Sequence, residues 1–268
     1  MRRFYLILSL LTISLFSFSQ EKNDSSRWST TFHCGGDLMS RYIWRGINLG
    51  GNSPATQPWI RIDIGNSKHT LSIGAWGSYS MAGTSNEECD LIASYTYKSM
   101  LTFMVTDYFF PGLYSDQRDK YFYYNQDSTG HVVEACVSFN GTKDIPLTFM
   151  ACTNVYGNDA RRMKSVNDTT FRDNCLMYTT YLELGYKKTI RGIDVNPFIG
   201  GTITKPDTKR NEVGYFGNTK AGITNLGIRI SKAIPVTEHF AIPLQGVLIA
   251  DPVMNKIFMV FGISFTTL

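Results

Sequence analysis

Apolar and polar side chains alternate at every second position through most of the chain from Phe32 onward. This is the pattern of strands that present one apolar and one polar face. It is cleanest near the C-terminus, where Ile257, Met259, Phe261, Ile263 and Phe265 share a face. Lys256, Gly262, Ser264 and Thr266 share the other, with Phe258 and Val260 as exceptions. Pro58, Ile60, Ile62 and Ile64 stand opposite Gln57, Trp59, Arg61 and Asp63, and Leu71, Ile73 and Ala75 opposite Thr70, Ser72 and Gly74. No stretch carries a 3.6-residue apolar stripe with caps. The alternation predicts twelve strands, at 31–44, 55–64, 69–80, 88–97, 100–110, 131–139, 145–156, 174–186, 191–202, 217–231, 239–250 and 256–267. Their connections alternate between tight turns, such as 65–68 and 98–99, and long polar loops, such as 111–130, 157–173 and 203–216.

Two all-β architectures accommodate such strands. A soluble sandwich buries the apolar faces and wets the polar ones. A transmembrane barrel turns the apolar faces to lipid and the polar ones to a lumen. An even strand count, strands of about ten residues, loops sorted by length and rings near strand ends all favour the barrel. Tyr42, Trp44, Tyr79, Tyr95, Tyr97, Tyr156, Tyr178 and Tyr186 are those rings. The expected fold is a closed antiparallel transmembrane β-barrel of about twelve strands.

The N-terminus adds a compartment. Arg2 and Arg3 precede an apolar run from Phe4 to Phe18, and Ser17 and Ser19 place small residues before a cut at Gln20. Residues 1–19 therefore read as a cleaved signal peptide, 20–30 as a short periplasmic segment and 31–268 as the barrel, exported to a bacterial outer membrane. Charged residues make up 18% of the chain and aromatics 13%, with mean hydropathy −0.13, so disorder is excluded. A formal charge of +4, half of it in the leader, gives no reason to invoke nucleic acid.

Five cysteines form no CxxC pair. With Phe139 opposite Ile145 across the sixth turn, Cys136 would face Thr148 and lie out of disulfide reach of Cys152. The cysteines accordingly read as small strand residues.

Several motifs, taken in order, resemble the TorF-type porin family. They are Ser40-Arg41-Tyr42-Ile43-Trp44-Arg45-Gly46-Ile47 with Gln57-Pro58, Glu88-Cys89-Asp90-Leu91 and Val105-Thr106-Asp107-Tyr108-Phe109-Phe110-Pro111. Asn154-Val155-Tyr156-Gly157, Tyr181-Leu182-Glu183-Leu184-Gly185-Tyr186, Thr224-Asn225-Leu226-Gly227, Asp251-Pro252 and the last strand also fit. The resemblance implies an outer-membrane barrel acting as a channel, and names no substrate. Phe261, Ile263 and Phe265 are the expected insertion signal for the barrel-assembly machinery, although Thr266, Thr267 and Leu268 extend past the usual aromatic end.

With the N-terminus periplasmic, the polar faces supply Asp37, Arg41, Arg61, Asp63, Glu88, Asp90, Glu134, Glu183, Asp194 and Arg229 as pore-lining residues. Seven carboxylates against three arginines predict a weak cation preference. Twelve strands close into a wall roughly 24 Å across, leaving a lumen on the order of 10 Å unless a loop folds in. Two readings stand: a passive channel for small solutes, and a non-conducting structural or adhesive barrel acting through its outer loops. Asp107 falls on the apolar face and is expected at the outer rim.

No HExxH, GxSxG or GxxxxGK[ST] pattern occurs, so no enzyme, cofactor or metal is expected. His131, near Asp127 and Ser128, reads as a surface histidine. The expected partners are outer-membrane lipids, the assembly machinery and small solutes, with oligomeric state open.

Overall fold

Twelve antiparallel strands build one closed wall in the computed structural model, which describes residues 27–82, 87–126, 128–163, 171–237 and 240–266. They are β1 (Ser29–Met39), β2 (Ala55–Gly65), β3 (His69–Ser80), β4 (Glu88–Tyr97), β5 (Leu101–Tyr108) and β6 (Val132–Phe139). The wall continues with β7 (Leu147–Gly157), β8 (Thr180–Tyr186), β9 (Ile193–Thr202), β10 (Gly222–Thr237), β11 (Phe240–Asp251) and β12 (Lys256–Thr266). Each strand pairs with its sequence neighbour, and β1 pairs with β12 from Gly35↔Thr266 to Met39↔Gly262, which shuts the ring. The leader, Asp127, Lys164, His239, Thr267 and Leu268 lie outside the described residues.

The alternation is turned inside out relative to a soluble protein. Phe32, Ile60, Ile62, Ile73, Leu91, Phe103, Leu184, Ile199, Leu248, Ile257 and Met259 are all exposed on the outer face, on strands spread around the circumference. The register carries the other parity inward: Asp37 opposes Gln57 and Ser264, Arg61 opposes His33 and Gly74, and Glu134 opposes Thr106 and Asn154. Where an interior ring lies over the neighbouring strand, the wall uses glycine. A Cβ on Gly35 would lie 2.6 Å from the Trp59 ring.

Four expected elements differ; the tenth strand runs Gly222–Thr237 rather than 217–231. The first strand ends at Met39 rather than at residue 44, because the chain then leaves the wall. The expected strand 174–186 is divided: Phe171–Leu176 pairs with Arg161–Met163 within the long connection after β7, and Tyr178 adopts φ of 49° before the wall resumes at Thr180. The sixth turn is also longer than expected. Thr142 N–H bonds the Ile145 carbonyl at 2.7 Å, and Pro146 has no N–H to offer the ladder, so pairing starts at Phe139↔Phe149. That four-residue shift puts Cys136 opposite Cys152, with Cα atoms 4.1 Å apart, and the two are disulfide-bonded. The reading of these two as simple small residues is thereby corrected; Cys34, Cys89 and Cys175 form no disulfide among the described residues.

Candidate functional site

The connection between β1 and β2 folds into the barrel. Ile43–Trp44 pairs with Ile47–Asn48 around a two-residue turn, Arg45-Gly46, with φ of 47° and 91°. Two positive φ values make the mirror-image turn that suits the right-handed twist of a hairpin. Glycine is required at the second position, since a Cβ on Gly46 would lie 1.9 Å from the Thr224 carbonyl oxygen on β10. Arginine in the left-handed region is uncommon, and here its side chain is fixed on the far wall. The Arg45 guanidinium donates to Glu134 Oε1 at 2.5 Å and to Oε2 at 3.0 Å. It also lies 4.6 Å from the Trp44 ring centre and 4.5 Å from that of Tyr181. The Tyr108 hydroxyl donates to Glu134 Oε2 at 3.0 Å. Counted around the ring, β6 and β8 are each five strands from β1, so the hairpin crosses the lumen.

Apolar side chains fill the space beside this latch. Phe198, Val247, Ile249, Phe258 and Val260 form one buried cluster inside the wall, with Met39 and Ile43 packed on it. Phe258 and Val260, the exceptions to the alternation, thus face inward to serve this cluster. Tyr108, Phe110 and Val132 form a second cluster against Trp44, Leu49 and Tyr215, and the Phe216 ring stacks on Trp44 at 5.7 Å. The half of the lumen towards the long loops is occupied. The other half is polar, with Thr96 Oγ1 3.0 Å from Thr102 Oγ1 and Asp63 held by Arg61 Nε at 2.8 Å and His33 Nε2 at 3.3 Å.

The ten residues expected to line a pore divide accordingly. Glu88, Asp90 and Glu134 are buried at the long-loop end, where the Tyr42 hydroxyl bonds Glu88. Glu183 accepts from the Tyr181 hydroxyl and from Asn225 Nδ2. Arg61 and Asp63 pair on the polar half; Asp37 faces inward on β1, and Asp194 accepts from Thr189 Oγ1 at 2.6 Å near a tight turn. Arg41 is beyond the end of β1 rather than on it, with its guanidinium 5.9 Å from the Phe258 ring; Arg229 lies 5.7 Å from Phe198. Both therefore sit against rings, not against the carboxylates they were expected to balance. Phe261, Ile263 and Phe265 share the outward parity of β12. Arg45, the interior cation with the tightest partner, was missed because the alternation ran one strand through residue 44. The adjacent glycine was the available signal.

Asp107 lies at the long-loop rim with no bulge at its position. His131 corrects the reading of a surface histidine: its side chain is fully buried, with Nδ1 2.8 Å from Asp107 Oδ1 and Nε2 2.7 Å from the Tyr121 carbonyl oxygen. Both ring nitrogens face oxygen atoms. The Tyr124 hydroxyl donates to Asp107 Oδ2 at 2.7 Å, and burial together with that carboxylate pushes its phenol well up. Ser128 bonds Tyr123 instead of His131, so these side chains form no nucleophile–base pair.

No family model matches the chain, and no curated protein matches it. Among solved structures it is similar to a membrane protein from work on in-meso crystallization, with 8% identity and a TM-score of 0.46 over 88% of this chain and 83% of that one. It is also similar to an outer-membrane channel from Pseudomonas putida F1, with 11% identity and a TM-score of 0.42 over 92% of this chain and 99% of that one.

Proposed function

We propose that this protein is a bacterial outer-membrane channel for small solutes, narrow and weakly cation-preferring, whose constriction is the hairpin latched by Arg45. The observation that carries the reading is a closed wall with an apolar exterior around its circumference and charged residues inside. Exposed apolar patches on soluble monomers seldom exceed a few hundred Å², whereas a lipid-facing barrel requires such a belt. The resemblance to TorF-type porins supports the same reading. In this proposal the leader directs export and the tight turns face the periplasm. The assembly machinery reads Phe261, Ile263 and Phe265, lipids cover the belt, and no catalysis is involved.

Arg45 neutralises Glu134 and Arg61 pairs with Asp63, so the cation preference rests on Asp37, Glu183 and Asp194 and on the charge that the buried Glu88–Asp90 pair keeps at the long-loop mouth. The test is a planar-bilayer recording of refolded protein across a KCl gradient. The expected result is small conductance with a reversal potential of cationic sign, larger in a variant whose residues 42–50 are replaced by a Gly-Ser linker. Orientation is checked by labelling introduced cysteines, with Ser115 and Asn158 reacting in intact cells and Asn66 only after the outer membrane is breached.

The interior apolar cluster and the crossing latch favour a second reading, a closed barrel acting through its outer loops. Absence of conductance in both the intact and the linker-replaced protein would select it.

A further inference from the structure

Between the inward hairpin and the long loops lies a cavity of about 200 Å³. Its lining has five rings, from Trp44, Tyr108, Phe110, Tyr114 and Tyr215, together with aliphatic side chains and Asn158, and its one carboxylate is Glu88. Glu88 is 1% exposed, and its Oε2 has no hydrogen-bond partner among the described residues. Asp90, on the same face of β4, is 3% exposed, is hydrogen-bonded to Glu88, and has an equally unpartnered Oδ1. No described arginine or lysine forms a salt bridge with either acid; the nearby Arg45 is taken by Glu134. A hydrogen bond between two carboxyl groups needs at least one proton, and a cation seated in the pocket would hold Glu88 in its ionised form.

A buried carboxyl group with an empty acceptor, flanked by π-faces, is complementary to a cation that brings N–H donors. A hard divalent cation such as calcium wants six or more oxygen ligands, and this lining offers mostly rings and aliphatic side chains. We propose that this pocket binds a small primary ammonium ion carried on an apolar or aromatic stem, with Glu88 as its anchor and the rings around its stem. The site needs only the pocket, so it stands whether or not the lumen conducts.

The experiment titrates full-length refolded protein in detergent micelles with 2-phenylethylammonium chloride, 2-phenylethanol and CaCl₂, followed by calorimetry and by the quenching of tryptophan fluorescence. The ammonium ion is expected to bind saturably, and the alcohol of the same shape about tenfold more weakly or worse, since the charge-assisted bonds are lost. Glu88→Gln, with the heat-modified gel mobility of the folded barrel retained, is expected to weaken the ammonium ion by about the same factor. Equal binding of the alcohol would overturn the proposal, as would no saturable binding of the ammonium ion. Saturable calcium binding that Glu88→Gln abolishes would also overturn it by assigning a metal site. If Glu88→Gln fails to fold, the ammonium–alcohol comparison on the unaltered protein decides alone.

Discussion

Replacing Arg45 with alanine removes the latch while leaving every strand of the wall in place. The side chains of the pair are 8% and 2% exposed, so the loss strands the Glu134 carboxylate in the interior with only the Tyr108 hydroxyl. Removing one partner of a buried pair costs about 3–5 kcal/mol. The cost falls on the docked hairpin rather than on the barrel, because the ladders from β1 to β12 do not pass through residue 45. At about 1.4 kcal/mol per decade, the docked-to-undocked ratio should fall by roughly two to three and a half powers of ten. Single-channel recording reads this as a higher open probability and longer open events than in the unaltered protein. Arg45→Lys keeps the charge but not the two-pronged contact and should fall between. Arg45→Ala combined with Glu134→Gln removes the stranded charge and should dock better than Arg45→Ala alone. Open events in Arg45→Ala identical to those of the parent would refute the latch, as would a double variant no better than the single.

Three further outcomes are expected. Ile73→Arg, at a position 70% exposed on the outer face of β3, should lower barrel stability in lipid by about 2–4 kcal/mol, while Ser94→Arg on the inner face is tolerated; denaturant titration in vesicles compares them, and equal losses would mean the faces are not lipid and water. Alkylation of the unfolded, unreduced protein should modify Cys34, Cys89 and Cys175 only, and all five cysteines after reduction; five adducts without reductant would remove the Cys136–Cys152 bridge. Burial raises the Glu212 carboxyl, but N–H groups of Asp207 and Met163 and the Arg162 guanidinium outweigh it and hold the group below its ordinary 4.5. That contribution is complete above the ordinary value and is lost as pH falls through the lower folded one. Hydrogen exchange in residues 203–221 should therefore accelerate below about pH 4.5 in the parent and show no such step in Glu212→Gln.

The wall was legible because period-two alternation is a property of each strand by itself. Ile60, Ile62 and Ile64 need no knowledge of β1 to declare a face, and nine expected strands fall near their observed places. Register was not legible at the sixth turn. A ladder is set by which turn carbonyl finds a donor, and Pro146 removed the donor that the shorter turn needed. The interior was the least legible part. Arg45 sits in a turn rather than a strand, and its partner is 89 residues away. Glu134 and Asp90 were found because they obey inward parity, but parity cannot tell a carboxylate facing water from one locked to a guanidinium or left unpartnered. His131 was misread for a similar reason: its acceptor, Asp107, lies on the face that alternation assigned to lipid.

The crossing hairpin also constrains the order in which the molecule can form. Its residues are among the first in the barrel, yet the carbonyl that meets Gly46 belongs to Thr224, and the seam that encloses it joins Ser40 to Phe261 across 221 positions. Contacts so distant along the chain make assembly slow. They also mean that the hairpin waits, undocked, while eleven strands are laid down around it. The filling is therefore older than its container. Closing the seam then encloses a hairpin whose docking partners already stand on β6, β8 and β10.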